Sequence, residues 1–118
     1  VLKLVNTERK KAGLTELTWD DTVATAAMTR SKEIEKSFSH TRPDGRNFGT
    51  AITDLGITYR GAGENIAWGQ KTPEAVMNAW MNSEGHRANI FNPNFKKLGV
   101  GYRTDSQRTP YWTQLFTY

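Results

Sequence analysis

The sequence predicts an α+β fold in which helices cover a small antiparallel sheet. Apolar residues recur at helical spacing in three segments between Val1 and Ser83, and the segment from Lys97 to Tyr118 is typical of two strands around a polar turn. No internal repeat, low-complexity tract or block of like charge interrupts the 118 residues. We therefore expect one domain over residues 1–118.

The first helix is predicted over residues 1–12. Leu2, Val5, Arg9 and Ala12 share one face, lysines occupy the others, and the glycine at position 13 is a suitable C-terminal stop. We expect the shared face to pack against another element.

The second helix is predicted from Asp20, a good N-cap, to about Lys36. Its buried face recurs at three- and four-residue steps, at Val23, Ala26, Ala27, Arg30 and Ile34. Because Ala24, Ala26 and Ala27 are small, we expect another element to pack closely against this helix.

Shorter elements are predicted in the middle of the chain. Residues 38–46 are expected to form a loop, because a Pro-Asp-Gly turn signal lies within them. A short helix is expected over residues 47–55, ended by a glycine. After a turn with two glycines, residues 64–68 are predicted to form a short strand.

The third major helix is predicted from Thr72, as N-cap, to about Ser83. Pro73 suits its first position, and the glutamate that follows complements the helix dipole. Its buried face is predicted to include Trp80. Gly85 is expected to break this helix just before the histidine at position 86.

A β-hairpin is predicted at the end of the chain, with strands over residues 97–103 and 111–118. Trp19, Trp80 and Trp112 are predicted to anchor the core, whereas Trp68, between an alanine and a glycine, is predicted to be partly exposed.

The composition limits the class of function. Sixteen Lys and Arg against twelve Asp and Glu give a net charge of +4, which favours acidic surfaces as neighbours. The basic residues are scattered and no groove-reading module is visible, so we expect no nucleic acid partner. Anionic cell-envelope polymers are at least as plausible as partners, and an extracellular protein or a lipid stays open as an alternative.

Two features that the sequence lacks limit the class of protein further. The chain has no cysteine, which excludes disulfides, thiolate catalysis and thiolate metal sites. No apolar run approaches the ~20 residues of a membrane-spanning helix. Because Val1 already lies within a helical pattern and is not a methionine, we expect a processed protein or an excised domain.

The two histidines of the chain mark the candidate functional site. His40 and His86 both lie in polar, glycine-bearing segments, and between them Glu64 follows a flexible turn. Two neutral imidazoles and a carboxylate can hold a divalent metal with open positions for water. They can equally serve as acid and base without a metal.

Each of these residues also has a structural interpretation. The imidazoles can donate to backbone carbonyls and fix a loop, and Glu64 can accept backbone N–H groups at a turn. Asn65 is expected to form local hydrogen bonds. Arg42 and Arg87 are expected to pair with acidic neighbours more readily than to face an anionic ligand.

Six short motifs occur in order along the whole chain: NTER at 6–9, LTWD at 17–20, SHTRPDG at 39–45, GENIA at 63–67, WMNSEGHRANI at 80–90 and YWTQ at 111–114. Together they resemble the CAP superfamily, which groups cysteine-rich secretory proteins, venom antigens and plant pathogenesis-related proteins. The resemblance is closest to the bacterial, cysteine-free branch. It implies an α-β-α sandwich with a small central antiparallel sheet (the CAP/SCP fold) and a cavity of histidines and acidic residues able to hold a divalent metal. It also implies a protein that is secreted, extracellular or associated with the cell wall.

The resemblance assigns residues position by position. His40 and Glu64 match the family motifs directly. Animal and plant members carry a further histidine where Tyr111 stands, so His86 would supply the second imidazole. The resemblance therefore implies a site for Zn²⁺ or another divalent cation at His40, His86 and Glu64.

The second acidic position of the family falls near Ser83 and Glu84. This gives a set of candidate catalytic residues, namely His40, Glu64, Glu84 and His86. A second set is expected to support the cavity, namely Asn65, Ser83, Arg87 and Tyr111.

Three functions follow from the sequence. The first is an extracellular or cell-envelope binding module whose cavity holds a metal or small ligand. The second is a metal-dependent hydrolase in which Glu84 acts as base. It is weakened because the chain has no His-Glu-x-x-His helix and no Gly-x-Ser-x-Gly elbow. The third is a lipid or sterol carrier, as in some eukaryotic relatives.

Overall fold

The predicted helices and strands form in the computed structural model, which describes residues 1–118. The elements in chain order are α1 (Leu2–Lys11), β1 (Thr18–Trp19), α2 (Asp21–Lys36), α3 (Thr50–Thr53), β2 (Ala62–Trp68), α4 (Pro73–Met81), α5 (Glu84–Ile90), β3 (Lys97–Thr104) and β4 (Pro110–Thr117). None of the five helices has the length and apolar character needed to cross a membrane.

The strands form one sheet in the order β1-β3-β4-β2, with β1 parallel to β3 and the other pairs antiparallel. Side chains alternate between its two faces, so Trp112 and Phe116 of β4 enter one core while Leu115 enters the other. The larger core joins the sheet to α1, α4 and α5, and the smaller core joins it to α2 and α3. The predicted α-β-α sandwich is confirmed.

Helix α2 packs closely on the sheet, as its alanines predict. A Cβ atom at Gly99 would collide with the backbone of Ala24, and one at Gly101 would collide with the backbone carbonyl of Ala27. Glycines on β3 and alanines on α2 therefore set the short distance between the two layers.

The predicted helix caps are confirmed. The Asp20 carboxylate accepts hydrogen bonds from the N–H groups of Thr22 and Val23, at 2.9 and 3.0 Å. The Thr72 hydroxyl accepts from the N–H of Ala75 at 3.1 Å. These side chains satisfy backbone donors that a helix leaves free at its first turn.

Several boundaries differ from the prediction: β2 begins two residues earlier and the hairpin strands differ by one residue, but the larger differences are in the helices. Helix α3 covers only Thr50–Thr53, and α4 ends at Met81 because Ser83 is extended. Gly85 does not break a helix: it lies in the first turn of α5, where a glycine costs little because its N–H has no helical partner. His86 consequently lies on a helix instead of a loop.

The tryptophan predictions hold for three of four residues. Trp80 and Trp112 are buried, and Trp68 is 57% exposed. The prediction that Trp19 anchors the core is wrong. Its side chain is 39% exposed, because it lies on the two-residue edge strand β1 and its indole N–H bonds to the neighbouring Asp21 carboxylate.

Candidate functional site

A buried arginine lies beneath the candidate site. Arg30 belongs to the buried face of α2 and is fully enclosed. Its Nε donates to Glu64 Oε2 at 2.7 Å, and its Nη2 donates to Glu64 Oε1 at 3.1 Å. A third nitrogen, Nη1, donates to Glu33 at 2.8 Å. Two-point pairing compensates the cost of burying the charges of Arg30 and Glu64.

The same carboxylate orients the first histidine. His40 Nδ1 lies 2.8 Å from Glu64 Oε1, although the imidazole is 58% exposed. Arg30 Nη2 also donates to the backbone carbonyl of Ser39 at 2.5 Å, which ties down the chain just before the histidine. With a carboxylate at Nδ1, the neutral ring carries its proton there and leaves Nε2 as an acceptor.

A second arginine holds the loop that carries His40. Arg42 donates to Glu33 Oε1 at 3.1 Å, to Glu33 Oε2 at 3.0 and 2.9 Å, and to Thr50 and Asp54. Burial alone would raise the pKa of Glu33, but hydrogen bonds from Arg42 and Arg30 outweigh it and lower that pKa. The prediction that Arg42 pairs with acidic neighbours is confirmed, and the loop is fixed on α2.

Helix α5 brings the second histidine to the sheet through an amide network. Asn65 donates from Nδ2 to the backbone carbonyl of His86 at 3.1 Å and to Gln114 Oε1 at 3.0 Å. Its own oxygen accepts from Asn89 at 2.9 Å. The expectation of local bonding for Asn65 is therefore wrong. Asn65 is buried on the sheet face under α5, where the nearest polar groups belong to other elements.

The imidazole of His86 favours its neutral form. Burial lowers the pKa of His86, and the nearby His40 ring lowers it further. The Nδ1 atom is buried and has no hydrogen-bond partner in the protein. His86 therefore stays neutral down to a lower pH than a free imidazole does.

His40 and His86 line the same cavity, which has a volume of about 450 Å³. This lies within the ~300–1,000 Å³ typical of small-molecule sites. The other lining residues are Phe38, Ser39, Ile66, Ala67, Trp68, Gln70, Ala79, Trp80 and Ser83. Apolar and aromatic side chains thus surround a small number of polar groups.

The remaining candidate residues lie outside the cavity, apart from Ser83. Glu84 is exposed in the first turn of α5 and does not line it. Tyr111 lies on β4, where its hydroxyl donates to an aspartate of the β3–β4 loop at 3.2 Å. Arg87 donates to a backbone carbonyl at the end of α4 at 2.9 Å, so it joins two helices and pairs with no acidic side chain.

The donor set does not match a three-ligand metal site. Both oxygens of Glu64 are held by Arg30 and His40, and no three His, Cys, Asp or Glu side chains are arranged to hold an ion. Binding of Zn²⁺ or another divalent cation at His40, His86 and Glu64 stays a prediction.

The family model described as CAP, the cysteine-rich secretory protein family, matches residues 2–116 of the chain. The uncharacterized protein YkwD of Bacillus subtilis is 47% identical over an alignment 118 positions long, which covers 98% of this chain and 45% of that protein. The uncharacterized membrane protein YlbC of the same organism is 34% identical over 103 residues, which are 86% of this chain and 30% of that protein. The chain thus spans less than half the length of either curated relative.

Solved structures of other proteins have the same fold. An extracellular protein containing an SCP domain from Bacillus anthracis superposes with a TM-score of 0.90 at 34% identity, over 98% of this chain and 38% of that chain. An outer surface protein from Borrelia burgdorferi superposes with a TM-score of 0.89 at 24% identity, over 98% of this chain and 87% of that chain, and supports the fold alone.

Proposed function

The chain belongs to the CAP family, and we propose that it is an extracellular binding module whose cavity, between His40 and His86, takes a saccharide unit of a cell-envelope polymer. Extracellular location is supported by similarity to the SCP-domain protein of Bacillus anthracis. The family fold does not dictate a reaction, so the function depends on the residues of the cavity.

One observation carries this proposal. The buried side-chain polar atoms that have no hydrogen-bond partner in the protein are Gln70 Oε1, His86 Nδ1 and Gln114 Nε2. Gln70 and His86 line the cavity, and Gln114 is connected to His86 through Asn65. Each such atom costs ~1–3 kcal/mol. Two of the three atoms belong to residues that line the cavity, and unpaired polar groups there are typical of a site that a polar ligand completes after small side-chain adjustments.

The remaining walls favour a saccharide over other polar ligands. Trp68 and Phe38 present exposed aromatic surface beside the imidazoles and the hydroxyl of Ser83. A pyranose ring offers an apolar face to an aromatic wall and hydroxyls that both donate and accept. An aromatic wall with a few polar groups matches both properties.

The His40–Glu64 contact favours a second candidate, a hydrolase that needs no metal. A carboxylate that orients an imidazole is the arrangement of a general base. No serine or threonine hydroxyl forms a hydrogen bond with the His40 ring, and the Ser39 hydroxyl accepts instead from the N–H of Thr41 at 3.0 Å. His40 would therefore act on water, and binding remains the better supported function.

Calorimetric titration with chitotetraose, a neutral N-acetylated tetrasaccharide, tests the proposal. We expect saturable binding that weakens about tenfold in His86→Asn, which corresponds to loss of one well-made hydrogen bond. Trp19→Ala, which removes a partly exposed tryptophan outside the cavity, is the control and should bind normally. Absence of binding, or equal losses in both variants, would contradict the proposal. Cleavage of the sugar that stops in His40→Asn would establish the hydrolase.

A further inference from the structure

A second cavity lies beside the first and shares Trp68 with it. It has a volume of about 790 Å³ and lies where the end of β2 meets the β3–β4 loop. Its lining includes two aromatic residues and two basic ones, namely Trp68, Lys71, Tyr102 and Arg108. Since Trp68 lines both cavities, a chain-like ligand in one can continue over the indole into the other.

The charged residues of this second cavity are all basic. Lys71 and Arg108 line it, and no acidic residue does. Neither cation makes an ion pair within 4.0 Å, and neither side chain donates a hydrogen bond to the protein, unlike Arg42, Arg46 and Arg103, which all pair with carboxylates. The two free cations are therefore available to an anionic ligand.

Arg108 is held in a backbone conformation that disfavours it. Its φ is +64°, in the left-handed region, where most residues with a Cβ atom are less stable than glycine and asparagine is the main exception. The turn is fixed by Asp105, whose carboxylate accepts from the N–H groups of Gln107 and Thr109, both at 2.9 Å. Arginine at this position has a higher conformational energy than glycine would have, and residues held in such backbone conformations are typical of functional sites.

Two aromatic rings complete the surface. Trp68 and Tyr102 are 57% and 43% exposed. The Tyr102 ring packs on Trp112, with centroids 4.5 Å apart, and so presents a fixed face. Rigid aromatic faces next to unpaired cations suit a ligand that carries apolar sugar faces and carboxylates on one chain.

We propose that the surface formed by Trp68, Lys71, Tyr102 and Arg108 binds an acidic polysaccharide, whose neighbouring unit occupies the histidine cavity. The inference rests on the proposed function and adds the charge of the polymer and the path it follows. The carboxylates pair with Lys71 and Arg108, and the sugar rings lie against Trp68 and Tyr102.

Two tetrasaccharides with one backbone test this inference. Chitotetraose is neutral, and the matched tetrasaccharide of alternating N-acetylglucosamine and N-acetylmuramic acid carries a free carboxylate on every second unit. We expect the acidic probe to bind wild type roughly tenfold more tightly than the neutral one. Lys71→Gln with Arg108→Asn should remove that difference and leave the affinity for chitotetraose unchanged. Asparagine tolerates the left-handed conformation, so the fold should persist.

The control variant is Lys3→Gln with Lys10→Gln, which removes two exposed cations from α1. It should keep the preference for the acidic probe. Equal losses in both double variants would overturn the inference in favour of general charge attraction, as would equal affinity of wild type for the two probes. Stronger binding of a single-stranded oligonucleotide than of the acidic sugar would also overturn it. Failure of both probes to bind contradicts the proposed function instead.

Discussion

At the scale of single residues, the Glu64 carboxylate has two roles that can be separated. It compensates a fully buried Arg30 and orients an exposed His40. Glu64→Gln removes the charge opposite a buried guanidinium, so we expect a loss of about 3 kcal/mol in the free energy of unfolding, measured in urea. His40→Asn removes the other partner of the same carboxylate. Because that ring is exposed, its loss should cost less than about 1 kcal/mol. Equal costs in the two variants would mean that Arg30 does not depend on Glu64.

His86 predicts a dependence of stability on pH. Its folded pKa lies below the ordinary value of 6.5, because of burial and the nearby His40. Between the folded pKa and about 6.5 the unfolded chain binds more protons, so stability should fall as pH decreases through this range. The urea midpoint of wild type, measured in steps from neutral to mildly acidic buffer, should decrease more steeply than that of His86→Asn. Parallel curves for the two proteins would contradict a partly buried, neutral imidazole.

At the scale of elements, the spacing between α2 and β3 depends on a close contact that a single methyl group can test. Gly99→Ala places a Cβ against the backbone of α2, which cannot move as a side chain can, and should cost about 1–3 kcal/mol or more. Gly85→Ala is the control, because nothing lies within 4 Å of the new Cβ and the residue is helical. Thermal melting should show Gly99→Ala destabilised and Gly85→Ala unchanged or stabilised by up to about 1 kcal/mol. The reverse order would mean that the two layers do not touch at Gly99.

Elements could be predicted from the sequence where the signal is local. Helical spacing and the caps Asp20 and Thr72 define α2 and α4, and alternation defines the hairpin. The break at Ser83 could not be predicted, because Gly85 is a stronger local signal than an extended serine. The prediction for Trp19 rests on the usual burial of large aromatic residues, and only the position of β1 at the sheet edge exposes this one.

The candidate site could be predicted only where its residues stand out in their local sequence. His40, His86 and Ser83 do line one cavity. Sequence reasoning missed that Arg30 holds Glu64, although an arginine on the apolar face of α2 is a visible signal that a carboxylate is needed there. The bonds of Asn65 connect residues distant in sequence, and no local pattern reveals them.

At the scale of the whole molecule, the cavity depends on the larger core. Trp80 is buried in that core, lines the cavity and donates its indole N–H to the backbone carbonyl of Ile66 at 3.3 Å. Trp80→Ala should therefore cost about 3–5 kcal/mol and weaken ligand binding through loss of the wall. Trp68→Ala removes an exposed ring and should weaken binding without comparable loss of stability. A near-normal melting curve for Trp80→Ala would mean that this ring does not support the core.

The most direct test of the binding function is to locate a bound saccharide by nuclear Overhauser effects. With chitotetraose bound, we expect contacts between its protons and the ring protons of both His40 and His86, with further contacts to Trp68. Contacts confined to the groove between α1 and α4, at Leu4, Met77 and Met81, would contradict a saccharide site between the two histidines.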